Sequence, residues 1–542
     1  MWPFSSTSSS VESPRTTTEM NEKESEEKRL LRKVDCLLMP LLTISFGLQY
    51  YDKREFPSQN SIISQSSPFD SLLWTDPYFP RYQAVLGSAS IFGIIKDLGL
   101  STSSIDPTTG KTVVSTLRYS TANSAFYWGY IVAVLPFALL LQRLPLAKTL
   151  SACIFFWGVT VILTVVVKSY EGLVVQRVFL GVLESSVSPG FVMITTQWYR
   201  KSEQASRLGI WYSATGIFSA FSGVVNYGLG KAGGSLAPWK YMYLFAGSWT
   251  ILWSLIILFL VPDSPRTSQR WFNEREREIL IRRSRENMTG RVEPSNFDWS
   301  QAKEAVRDLK VWVFMVMGAA IYICNGGVTA FGARIVSSFG YDSLTTIAIL
   351  IPGGAFTCAS IYLFTWIASR WKDSLTYLIP LSCVPVIVGA AIIWGASWTH
   401  RGVPLFGYYL LPTFGAPYVL LLALASQNVA GSTKKAICTG AIFVGYNVGN
   451  IAAPYTVFTT ERAEKYRSTW IAIVVSMGVT MVLSLVLRVL FERENRKRDE
   501  EQRREREGGE KDKGSDGGEE EEERVEREDL TDFENRNFRY SL

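Results

Sequence analysis

Charge is what this sequence has least of. Lys, Arg, Asp and Glu make up 19% of its 542 residues, against roughly 25% in an ordinary soluble protein, and the deficit is concentrated. Residues 1–33, 263–310 and 492–542, 132 in all, hold 65 of those charges, and the other 410 hold 39. A soluble protein keeps charge along its whole surface, so a region this long and this poor in charge is solvated by lipid. A soluble enzyme, a nucleic-acid module and a disordered scaffold are thereby excluded as its main identity. The formal charge of +6 does not point to nucleic acid either, because it sums opposite contributions: segment 492–542 alone has 13 basic and 20 acidic residues.

Other absences narrow the chemistry. There is one histidine, His400, in a short loop, and no intramembrane constellation of His, Cys and Asp suited to metal or nucleophilic work. No G-x-x-x-x-G-K-S/T loop is present, which argues against a nucleotide-driven pump. Cys36, Cys153, Cys324, Cys358, Cys383 and Cys438 lie in apolar runs without C-x-x-C spacing. They indicate neither a disulfide framework nor a zinc site and read as small core residues. The expectation is a non-enzyme without cofactor or metal. The polar first 33 residues lack the short apolar stretch of a secretory signal.

What the chain does have is long apolar runs. Runs of about 18 to 25 residues can cross ~30 Å of hydrocarbon as helix. They fall at 34–51, 120–141, 147–167, 172–194, 205–229 and 241–261, then at 311–331, 345–368, 375–394, 405–424, 436–458 and 469–491. Seventeen tryptophans suit the two bilayer interfaces. The fold class is an all-α polytopic membrane protein of twelve transmembrane helices. Six belong to segment 34–262 and six to 311–491, joined by a hydrophilic loop, 263–310. Tail 1–33 is expected to be disordered and tail 492–542 mostly so, from 492 to 529 beyond a helical extension of the last span.

An even number of spans puts both termini on one side. Basic clusters at Lys28–Arg29, Arg32–Lys33, Arg200–Lys201, the central loop and Lys434–Lys435 assign that side to the cytoplasm. The acceptor Asn287-Met288-Thr289 then stays unmodified. Residues 271–285 read as an amphipathic surface helix, chiefly a linker and secondarily a partner site.

Ionisable groups inside spans cost about 2.5–3.5 kcal/mol at a helix centre and are functional candidates by default. The fourth span carries Arg177 and Glu184, seven residues apart and so on one face. The first ends in Gln49-Tyr50-Tyr51-Asp52-Lys53. Each acid–base pair has two readings, a neutralising bridge that fixes helix contact or a working site. Ser185, Ser186, Ser188, Pro189 and Gly190 beside Glu184 let that helix bend. Clusters at Asn325-Gly326-Gly327, Pro352-Gly353-Gly354 and Gly445-Tyr446-Asn447-Val448-Gly449-Asn450 read mostly as close helix contact, although Asn325, Asn447 and Asn450 need polar partners. Tyr50, Tyr51, Tyr127 and Trp128 offer either an aromatic platform or interfacial anchors.

Several of these residues carry a resemblance. Tyr127-Trp128-Gly129-Tyr130, Arg177-x6-Glu184-x4-Pro189-Gly190, Gln197-Trp198-Tyr199, Gly209-Ile210-Trp211-Tyr212-Ser213, Pro262-Asp263-Ser264-Pro265, Asn325-Gly326-Gly327 and Gly431-x2-Lys434-Lys435 resemble the major facilitator superfamily. More closely they resemble its anion:cation symporter branch and the fungal allantoate permease family. The closing Asp532-Phe533-Glu534-Asn535-x2-Phe538-Arg539-Tyr540 is similar to that family's C-terminus. The resemblance implies two six-helix bundles around a central cavity that opens to either side in turn. It implies proton-coupled uptake of a small organic anion such as allantoate, nicotinate or pantothenate, by a monomer in the plasma membrane.

By the same resemblance, Glu184 and Asp52 carry the proton. Lys53, Arg177, Tyr127, Asn325, Tyr446 and Asn447 bind substrate. Lys53 stands where bacterial relatives have Arg, losing a two-pronged carboxylate contact. The family's loop signature between spans two and three is reduced here to Gln142-Arg143-Leu144-Pro145-Leu146-Ala147-Lys148. Segment 54–83, with four prolines, interrupts the family's first helix and reads as an external loop or as retained intron sequence. Partners are the anion, protons and lipid, with no nucleic acid. Two other functions stay open, a substrate-sensing receptor on a transporter scaffold and, behind it, a membrane-embedded enzyme.

Overall fold

A computed structural model describes residues 17–54, 94–100, 102–105, 112–115, 117–230, 234–287, 296–325, 335–336, 339, 343–456, 461, 464–507, 524–525 and 528–542. The expected insertion 54–83, apart from Arg54, and Gly326-Gly327 lie outside them.

The first half comprises α1 (Thr17–Arg54), α2 (Leu117–Arg143), α3 (Leu146–Leu163), α4 (Tyr170–Glu184), α5 (Val187–Trp198), α6 (Lys201–Tyr212), α7 (Ala214–Gly230) and α8 (Pro238–Leu260). Linker helices α9 (Glu274–Arg285) and α10 (Trp299–Arg307) follow. The second half comprises α11 (Leu309–Asn325), α12 (Ser343–Arg370), α13 (Leu375–Gly395), α14 (Gly402–Leu410), α15 (Gly415–Asn428), α16 (Ser432–Ala452) and α17 (Arg467–Glu507). A two-stranded antiparallel hairpin, β1 (Thr102–Ile105) with β2 (Thr112–Ser115), is the non-helical exception.

Nine stretches among the described residues are long and apolar enough to cross a bilayer. α1, α11 and α16 supply the other three of the twelve expected positions. Spans four, five and ten are each two helices, α4–α5, α6–α7 and α14–α15.

The two halves repeat one pattern of contacts. In the first, span one packs on five, two on four and three on six; in the second, seven packs on eleven, eight on ten and nine on twelve. The halves meet along two equivalent seams, span two against eleven and span five against eight. On the second seam Gly216 and Gly354 touch backbone to backbone, and a Cβ on either would lie 2.5 Å from the other's carbonyl oxygen. Ser213 Oγ is 2.6 Å from Tyr362 Oη on the same seam.

Parts of both tails are folded. From Thr17 the N-terminal segment is already α1, because Glu27 accepts hydrogen bonds from Arg200, Arg282 and Arg283 at 3.0 Å each, and Lys33 pairs with Glu276 at 2.8 Å. These contacts also dock α9 on the first half, where it is more than a solvated linker. At the other end, residues 528–542 fold onto the second half. Lys434, read as a topogenic surface charge, is wholly buried there among Glu304, Asp308 and Asp532 at 2.7, 2.8 and 2.9 Å. Asn287 is structural as well, its amide donating to the Tyr199 carbonyl at 3.0 Å and accepting from the Lys201 N–H at 2.8 Å. Cys36 is exposed rather than in the core.

Burial, the largest influence on Asp532, pushes its carboxyl up, but Lys310 and Lys434 together outweigh it and hold it down at about 2. The folded value lies below the ordinary ~3.9 of an aspartate. The stability it contributes is therefore present above that value and lost only as pH falls toward 2. The melting temperature of the detergent-purified protein should show no step from Asp532 between neutral and mildly acid pH. Asp532→Asn should lower it at both, breaking buried pairs of a kind that cost about 3–5 kcal/mol when one partner is removed.

Candidate functional site

The fourth span breaks where its polar residues cluster. α4 ends at Glu184 and α5 begins at Val187. Pro189 has no N–H to give, and the hydroxyls of Ser185 and Ser186 donate back to the carbonyls of Val182 and Leu183 at 2.7 and 2.9 Å. The Glu184 carbonyl accepts from Gln49 Nε2 of α1 at 3.4 Å, and Ser188 Oγ donates to Gln49 Oε1 at 3.4 Å. Glu184 is wholly buried. Counting 1.5 Å per residue from the helix ends that face the linker, Glu184, Tyr212, Tyr322, Tyr418 and Tyr446 all lie about 15–21 Å deep. That is one layer near the middle of ~30 Å of hydrocarbon.

In that layer tyrosines from both halves meet. The Tyr322 ring is 4.1 Å from Tyr446 and 4.8 Å from Tyr418 between centroids. Tyr418 is 5.6 Å from Tyr212, Tyr446 is 6.3 Å from Tyr130, and the hydroxyls of Tyr212 and Tyr322 are in contact. Tyr446 lies within electrostatic reach of Tyr127, Glu184 and Tyr50, so the structure brings three of the expected site residues together. Two polar groups here are wholly buried without a hydrogen-bond partner among the described residues, the Tyr418 hydroxyl and the Asn447 carbonyl oxygen. The Asn447 amide is taken by the Phe443 carbonyl at 2.6 Å. An unsatisfied buried group of this sort costs about 1–3 kcal/mol, which a ligand that pairs with it offsets.

Other expected residues are placed differently. Arg177 is buried, and its Nη2 donates to Tyr243 of α8 at 2.9 Å; the described ion pairs do not include one between Arg177 and Glu184. Asn325 donates to the Asn450 oxygen at 2.7 Å, so these two amides partner each other. Trp128, at 47% exposure, faces outward and is no part of an aromatic platform. Tyr51 is buried and donates to Asn226. Asp52 and Lys53 are in the last turn of α1, three and four residues past Gln49, and their side chains lie outside those described. Gln49, Tyr130 and Tyr212 stand in the motifs quoted above without having been assigned to the site, and Tyr243, Tyr322 and Tyr418 were not legible at all, since an isolated tyrosine in an apolar run carries no local signal.

On the face that bears the linker the halves are closed against each other. Ser426 donates to Gln204 at 3.0 Å, Gln427 donates to the Lys201 carbonyl at 2.8 Å, and Gln142 donates to Thr433 and Ser432 at 2.9 and 3.0 Å.

Two similar multi-pass halves, meeting around a buried carboxylate and closed at one face, define a membrane carrier. The chain belongs to the Major Facilitator Superfamily, whose family model matches residues 82–454. It is 31% identical to an uncharacterized transporter of Schizosaccharomyces pombe, over 95% of this chain and 90% of that one. It is 29% identical to the allantoate permease of Saccharomyces cerevisiae, over 95% of this chain and 87% of the permease. Among solved structures, the fucose:proton symporter of E. coli superposes with a TM-score of 0.56 at 12% identity, covering 83% of this chain and 98% of that one. That likeness concerns the fold alone. The protein is a transporter rather than an enzyme.

Proposed function

We propose that the protein takes up a small organic anion together with protons by alternating access, as a monomer in the plasma membrane with both termini and the linker in the cytoplasm. The observation that carries this reading is Glu184, wholly buried at a break in the fourth span at mid-depth, where the two halves meet. A carboxylate there is expensive unless its charge is used. In this scheme a proton from outside neutralises Glu184, with Asp52 as the second proton site, and Arg177 and Lys53 bind a substrate carboxylate. The loaded, charge-compensated site turns inward, and proton release resets it. No covalent step is involved.

Tyr127, Tyr446 and Asn447 contact the bound anion, with Tyr418 added to them, and Asn325 supports this group through Asn450. The Asn447 oxygen can only accept, so it suits a substrate that also carries N–H or O–H donors. The likeness to the allantoate permease puts ureide carboxylates first among the anions to try.

A competition panel of labelled carboxylates, ureides and vitamin acids at several external pH values tests this. Uptake should saturate, be inhibited by one chemical class, and rise as external pH falls. Asn447→Leu and Tyr418→Phe should each raise KM about tenfold, the equivalent of one lost hydrogen bond of ~1.4 kcal/mol. Uptake that no anion inhibits, at a rate independent of pH, would overturn the proposal.

A further inference from the structure

The mechanism leaves unused the charge cluster at the linker face and the C-terminal segment that completes it. Glu304, Asp308, Lys310 and Lys434 are supplied by α10, the α10–α11 junction, α11 and α16, and by themselves they balance, two acids against two lysines. Asp532 adds a third acid. It pairs with Lys310 and with Lys434, and accepts from the Tyr540 hydroxyl at 2.7 Å. Lys435, next along α16, interacts electrostatically with Asp529 of the segment.

A cation of the other half also reaches the segment. Lys201, the first residue of α6, holds its ammonium 4.2 Å from the centre of the Phe538 ring, repelled by Lys435 and attracted by Asp532. The adjoining turn is gripped from both sides. Gly431 there has φ +87°, a backbone form that suits glycine, and a Cβ on it would meet Gln301 at 2.8 Å. Just beyond it, Gln142 of the first half donates to Ser432 and Thr433, while Asp529 of the C-terminal segment accepts from the Ser432 N–H at 3.1 Å. The last residues pin the segment to the second half: the Ser541 N–H donates to Asn428 at 2.7 Å, and the Leu375 N–H donates to the Leu542 carbonyl at 2.9 Å. Twenty residues separate the end of α17 at Glu507 from Glu528, a reach of up to about 70 Å, so undocking does not strain the connection.

We infer that the C-terminal segment 528–542 is a latch across the linker-face gate, docked when the two halves close there and released when they part. Separation takes Lys201 away from Phe538 and Asp532, so the docked segment loses that contact with the first half. Conversely, the docked segment holds the halves together. The inference rests on the carrier reading for its purpose, while the geometry that states it is independent of the substrate.

The test is accessibility of the gate. In a Cys36→Ser background, Ser426→Cys places a reporter between Gln204 and α15, and a membrane-impermeant maleimide is applied to inside-out vesicles without substrate. Phe538→Ala, and a chain ending at residue 527, should each raise the labelling rate several-fold. Lys201→Met should do the same in the full chain and add nothing in the shortened one. That non-additivity would not arise if the segment merely braced the second half. Unchanged labelling in monodisperse Phe538→Ala protein, or additive effects of Lys201→Met and truncation, would overturn the latch. A labelling response in a protein that moves no anion would instead leave the latch standing and remove the proposed function.

Discussion

An accumulation ratio that falls to about one, with exchange of internal for external substrate retained, is the expected result for Glu184→Gln. Glutamine keeps the size and one carbonyl oxygen but cannot lose a proton, so it holds the site permanently in the neutral form. Of the candidate acids with described side chains, Glu184 is the one that is wholly buried, central and on a helix break. Its backbone carbonyl is already taken by Gln49, so the substitution leaves the anchoring contact with α1 in place. Binding and turning of the loaded carrier then continue, which preserves exchange. The empty carrier cannot use the proton gradient, which removes uphill uptake. Parallel measurement of net uptake and counterflow in a transport-deficient host separates the two, and undiminished accumulation would take Glu184 out of the scheme.

The second large effect is steric. Gly216→Leu puts a Cβ 2.5 Å from the Gly354 carbonyl oxygen across the seam between spans five and eight, well inside any ordinary contact, and no rotamer relieves a clash with backbone. Each half can still fold, because the clash lies between them. The halves must therefore separate at this point, and the closed arrangement is penalised by about 1–3 kcal/mol, roughly five- to 150-fold in population. Uptake should fall at least fivefold, and Gly354→Leu should behave alike. Gly228→Leu, on the same span with nothing among the described residues within 4 Å of its Cβ, should stay within about twofold of the parent. Equal losses at all three positions would show that bulk alone matters and that the seam does not.

How much of this was legible in the sequence follows from how local each signal is. Apolar runs and their spacing gave the spans, since a helix crossing lipid must be apolar over its own length. Glu184 stood out because an isolated carboxylate among apolar residues is costly wherever it points, and the Ser-Ser-x-Ser-Pro-Gly run announced the break beside it. The tyrosines were not legible as a layer: Tyr212 meets Tyr322 and Tyr418 only because two halves assemble, over separations of 110 and 206 residues. Lys434 misled for a related reason. A lysine near a span end normally marks a wet surface, whereas here three acids, one of them 98 residues further along the chain, let it be buried.

The N-terminal segment misled through composition. Mixed charge without an apolar stretch resembles a disordered tail, yet Glu27 finds three arginines that come from distant points of the chain. The last fifteen residues show the converse, an ordered motif following a charged, repetitive stretch that by itself suggests nothing folded. Arg177 sits between the two cases. Its burial was foreseeable from its place in a span, whereas its bond to Tyr243, 66 residues later, was not.

The most direct test of the central claim is proton movement in proteoliposomes that contain the purified protein and an internal pH indicator, with the membrane potential clamped. Addition of the transported anion outside should acidify the lumen in step with the arrival of labelled anion, and the Glu184→Gln protein should give no acidification. Anion arriving with no change of internal pH, or a Glu184→Gln protein that acidifies the lumen as the parent does, would contradict it.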